Sequence, residues 1–148
     1  MNKHWPRWVK SSIAKHFQTS LPSEVKLVVE GESDHPDVTR YELRIDGPNI
    51  SETTKGRFTL TVYINLLVQV EMTQSDLYAF DRILGEGLPC FTTSIPIYKY
   101  GSGVDDNGEL LGCFDQITSV ITERYDQESP KGLQCGTIEA SYNLLIEE

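Results

Sequence analysis

The chain has 148 residues, 39% of them hydrophobic and 24% charged, enough for one domain (1–148) with a proper core and too few for two comfortable ones. That balance excludes a disordered segment, a collagen-like repeat and a low-complexity scaffold. The net charge of −9 is unevenly spread: residues 1–17 carry four bases and no acid, giving +4, and the rest carries nine bases against 22 acids, giving −13.

A body this acidic repels phosphate and argues against a wrapped or groove-bound nucleic acid. The basic segment can meet either nucleic acid or an acidic neighbour. The opening MNKHWPRWVKSSIAKHF has no continuous apolar block and no small-residue cleavage site, so it does not read as a secretion signal. Within it Trp5, Trp8, Val9, Ile13 and Phe17 recur on one face, which predicts an amphipathic N-terminal helix. That face either docks on a sheet or offers its tryptophans to a partner. Ile13 and Phe17 fit the first reading, and Trp5 is open to either.

Leu21-Pro22 ends the helix, and residues 25–30 begin an extended segment. In the polar loop GESDHPDVT, Glu32, Asp34 and Asp37 surround His35. A lone histidine in a proline-containing loop reads as solvated rather than as a metal ligand. Tyr41, Leu43 and Ile45 alternate with Glu42 and Arg44 up to Asp46-Gly47-Pro48, where a turn is expected.

The strongest pattern is RFTLTVYINLLVQVE, residues 57–71. Phe58, Leu60, Val62, Ile64, Leu66, Val68 and Val70 occupy every second position without a break, as a strand with one apolar face requires. At about 3.3 Å per residue it extends to roughly 50 Å, against about 17–20 Å for a usual strand. Either it bends over its own core at a bulge, or part of it projects and another subunit completes it.

A second helix is expected next, capped by Thr73 or Ser75, with Leu77, Phe80, Ile83 and Leu84 buried, Asp81 and Arg82 in water and Gly85 as a left-handed stop. Residues 94–99 read as a short strand that Pro96 restricts to an edge or a strand end. Residues 114–125, apolar on both faces, read as a central strand. Residues 134–147 alternate again, placing Ile138, Ala140, Tyr142, Leu144 and Ile146 together. The order αβββαβββ gives an α+β fold: a mainly antiparallel, twisted sheet with the N-terminal helix and a second helix packed on it.

YGSGVDDNGELLGC, residues 100–113, most resembles a site. As a calcium loop with Gly108 sixth it has Asp105 and Asn107, but Gly103 and Phe114 stand where carboxylates are required. As a dinucleotide loop read from Gly101 and Gly103 it has Asp106 in place of the third glycine, and no base for a phosphate. Cys113 has no obvious base, since all three histidines lie within the first 35 residues. The three cysteines form no C-x-x-C pair, so neither a disulfide framework nor a zinc ribbon fits. Nothing implies a metal or cofactor, and an enzyme is not expected. The loop reads as an acidic hairpin suited to a contact surface, through Tyr100, Asp105, Asp106 and Glu109, with Trp5 and Trp8 as further candidates for a protein interface.

The N-terminal helix, the strand ending RIDGP, the long strand GRFTLTVYINLLVQV, the second helix, SIPIYKYGSGVDDNGELLGC and the two final strands resemble the tail terminator, or tail completion, proteins of the neck of long-tailed bacteriophages. The likeness covers nearly the whole chain. It implies a non-enzymatic virion protein, made in the bacterial host cytoplasm, that forms a ring, commonly a hexamer. Such a ring caps the tail tube, ends its polymerisation and docks to the head connector. The implied partners are further copies of the chain, the tail tube protein, the head–tail connector protein, and DNA that passes through the channel without specific binding. The competing readings are another phage neck or minor tail protein, a non-phage adaptor that recruits a partner through Trp5 and Trp8, and an enzyme using Asp105, Asp106 or Glu109.

Overall fold

The computed structural model describes residues 3–29, 39–71, 78–99, 108–118, 121–126 and 133–147, with 121–126 described by the backbone alone. The order is α1 (Trp5–Ser20), β1 (Lys26–Val29), β2 (Arg40–Thr54), β3 (Arg57–Glu71), α2 (Ala79–Gly87), a 3-10 turn (Leu88–Cys90), β4 (Ser94–Tyr98), β5 (Leu110–Gln116), β6 (Ile121–Asp126) and β7 (Leu133–Glu147). Two helices thus accompany one curled sheet, ordered β1-β2-β3-β7-β5-β4, with β6 also on β7. This is the α+β architecture read from the sequence. It has one more strand after α2 than the sequence predicts. Among the described residues β1 and β2 pair in parallel and the other pairings are antiparallel.

The spine is β3 against β7, fifteen residues each, in register from Arg57↔Glu147 to Glu71↔Leu133. Because side chains alternate and the register never slips, apolar rows line up across strands: Leu43, Leu66 and Ile138 form one, and Ile45, Ile64 and Ala140 the next. α1 packs on this face against β2 and β4, and α2 packs against β3 and β7. Trp5, Trp8, Val9, Ile13 and Phe17 point inward from α1. Tyr41 anchors α2 by donating its hydroxyl to the Ile83 carbonyl at 2.6 Å.

Local chemistry explains the ends of α1. Pro6 lies in the first turn, where a missing N–H costs nothing. Leu21, held extended (φ −80°, ψ 148°) ahead of Pro22, closes the helix by donating its N–H to the Phe17 carbonyl at 3.0 Å. Ser12 sits within the buried face and uses its hydroxyl twice, accepting from the Tyr98 N–H at 2.9 Å and donating to the Tyr98 carbonyl at 3.4 Å. That pair of bonds fixes α1 to β4.

Several expectations are corrected. Asp46-Gly47-Pro48 does not reverse the chain: β2 continues through it to Thr54, and the register merely shifts between Asp46 and Asn49. Gly47 absorbs the irregularity with φ at +106°, and a Cβ there would lie 2.8 Å from the Thr61 carbonyl oxygen. The reversal comes instead at Lys55-Gly56. Gly85 is not a left-handed stop either; α2 runs on to Gly87 and then tightens into the 3-10 turn through Pro89. The expected caps Thr73 and Ser75, and Leu77, lie outside the described residues.

Residues 114–125 are not one central strand. β5 and β6 share the same edge of β7, and between Gln116↔Tyr142 and Ile121↔Glu139 their chain takes four residues where β7 takes two. Two surplus residues cannot stay in register, so the strand divides. Pro96 stands where a missing N–H is tolerated, since β4 is the last strand of the sheet order.

Candidate functional site

The long strand was expected either to bend over its own core or to leave part of its length for another subunit to complete, and over most of that length its own chain covers it. Leu60, Val62, Ile64, Leu66 and Val68 are fully buried within the single chain, and Val70 is nearly so. The two helices and the curl of the sheet supply the cover.

Cover runs out at the Arg57 end. Here the inner face carries Ile50 opposite Leu60, Phe58 opposite Ile146, and Leu144. Ile50 is 41% exposed, and Phe58, Leu144 and Ile146 are half-buried. On the opposite face of the same end, Leu145 is 60% exposed beside Thr59. The backbone is open here too. β1 pairs with β2 only from Arg40 to Leu43, and β5 pairs with β7 only at Tyr142 and Asn143. Among the described residues, the three-stranded arm of 49–54, 57–61 and 144–147 therefore has two open edges. Such an arm offers both apolar side chains and free backbone groups to a partner. Alternation in the sequence flags Phe58, Leu144 and Ile146 as inward-facing but cannot show that the cover stops short of them, and it does not reach Ile50, which lies beyond the turn expected at 46–48.

Trp5 and Trp8, considered above as partner anchors, are core residues, 6% and 4% exposed. They pack edge to face with ring centroids 5.7 Å apart, and the Lys99 ammonium lies 5.7 Å from the Trp8 ring centroid. An adaptor that recruits through them would first have to lift α1 off the sheet. Tyr100, Asp105 and Asp106 lie outside the described residues, as do Glu32, Asp34, His35 and Asp37. Glu109 is exposed, and its carbonyl accepts the Lys99 N–H at 2.8 Å. Beside it, a Cβ on Gly108 would collide with the Lys99 carbonyl oxygen, so the close approach at the base of this connection requires glycine.

Cys90 and Cys135 belong to the interior. Cys90, fully buried, has its thiol pushed up to about 11 by desolvation, the opposite of what a nucleophile needs. Burial also raises Cys135, which is 3.7 Å from the Gln69 amide oxygen. His16, which no local pattern marks, is 2.9 Å from the Cys90 carbonyl oxygen through Nε2 and so ties α1 to the 3-10 turn. Among the described residues no three His, Cys, Asp or Glu side chains converge as metal ligands, and no helix is long and apolar enough to cross a membrane.

No protein-family model matches this chain, and no curated protein matches it.

Proposed function

We propose that the protein is a non-enzymatic structural component of the neck of a long-tailed bacteriophage, forming a ring that caps the tail tube, ends its polymerisation and docks to the head connector. The observation that carries the assembly half of this reading is the open arm of the sheet. Ile50 and its half-buried neighbours, on strands whose outer edges have no strand partner among the described residues, favour a contact with a second copy. A head-to-tail contact between unlike patches closes into a ring when the rotation per subunit permits. The net charge of −9 suits a channel that passes DNA without holding it.

The phage half of the reading rests on the likeness to tail terminators in the order of elements and in the phrases quoted above. Under it the partners are the chain itself, as a ring of hexamer type, the tail tube protein and the head–tail connector protein. No cofactor is involved, and the protein is located in the virion. Size-exclusion chromatography with light scattering, followed by imaging of particles assembled with the tagged chain, tests both halves. A ring mass and density at the head–tail joint are expected. A strict monomer at high concentration, absent from assembled necks, overturns the proposal.

A further inference from the structure

Lys3 in the turn before α1, and Arg7, Lys10 and Lys15 on the helix, are all exposed, while the opposite side of the helix is buried. Helix stability does not explain this placement. Cations in the first turns oppose the helix dipole, and acids belong there instead. The first turn of α1 nevertheless has no acid, and its N-cap makes no side-chain bond. No acid occurs before Glu24, so none of the four bases has one three or four residues away along the helix.

We infer that this outward face of α1 is the basic half of a head-to-tail contact between copies of this chain, and that it docks on the acidic surface of the next copy. The inference rests on the ring proposed above and assigns its electrostatic interface. Charge complementarity selects the occupant, because the same molecule carries +4 on this segment and −13 on the remainder. Exposed acids such as Glu71, Asp81, Glu86 and Asp115 lie on several elements. Basic face set against basic face would repel, whereas the basic face set on an acidic surface attracts, and that unlike pairing repeated head to tail is what a ring requires. Nucleic acid is the poorer fit. Trp5 and Trp8 are buried and cannot stack on bases, and a polyanion longer than the helix meets the field of the acidic body.

The test compares the full-length chain with the double variant Lys3→Glu and Lys10→Glu, which takes the segment from +4 to 0. Light scattering would be recorded across salt concentrations, with circular dichroism as the folding control and Lys3→Gln with Lys10→Gln as a milder pair. Assembly of the charge-reversed variant should weaken on the order of tenfold at low salt, and the difference should shrink at about 0.5 M as screening removes it. If the wild type assembles and both variants assemble equally well at every salt, the inference fails and the ring stands. If the wild type never assembles, both fall. If binding of a 30-base-pair DNA duplex, followed by fluorescence anisotropy, is lost in the variants while assembly is unchanged, the face belongs to nucleic acid and the inference is again overturned.

Discussion

Between Leu60 and Val70 the inward side chains of β3 are at most 2% exposed, whereas at the Arg57 end of the same sheet Ile50 is 41% exposed and Phe58 and Ile146 are only half-buried. Both regions follow the same alternation and the same unbroken β3–β7 register. What separates them is the layer above: α1, α2 and the curl of the sheet cover one and leave the other short. An apolar stripe therefore measures how much surface needs cover. It does not show where that cover comes from.

The sharpest way to break this contrast is to hollow out the covered region. Leu66→Ala should cost about 2–5 kcal/mol in urea unfolding, because a fully buried side chain leaves a cavity that its neighbours cannot fill. A loss as small as at an exposed site would mean that the middle of the sheet is not the core. Gly47→Ala tests the junction between the two regions and should cost roughly 1–3 kcal/mol, since alanine meets both a strained φ and the Thr61 carbonyl. A neutral result would show that the bulge relaxes freely.

A third measurement probes the covered region by pH. Burial lifts the Cys90 thiol from 9.0 to about 11, so between these values the folded chain keeps a proton that the unfolded chain has shed. Stability should be intact below pH 9 and fall as pH rises through that window. Cys90→Ala should remove this part of the slope, and an unchanged slope would assign it elsewhere. Ile50→Ser at the open arm should change monomer stability least, within about 0.5 kcal/mol. If the arm is an interface, the same change should lower the assembled mass in light scattering; undiminished assembly would leave the arm without that role.

Much of the fold was legible. Strict alternation marked the exact residues of β3, and helical spacing marked the buried side of α1, because both are local periodicities that any core would use. The errors fell where local signals were ambiguous. Asp46-Gly47-Pro48 carries turn residues, but a bulge uses the same conformations, and pairing of 49–54 with β3 decided in its favour. Residues 114–125 looked continuous because a two-residue mismatch with β7 is invisible without β7 alongside. The candidate site was less legible. The tryptophans drew notice as large apolar residues, yet they are core, while the residues that project uncovered, Ile50 and Leu145, are ordinary members of strands.

Taken alone, the amino-acid order determined α1 and β3, the inward face of each and the segregation of charge into a basic helix and an acidic body, since these follow from side-chain chemistry and spacing along one chain. Where the sheet is sheltered and where it is left open was decided by the packing of α1 and α2 against distant strands. That depends on contacts between segments far apart in sequence, which no local pattern encodes.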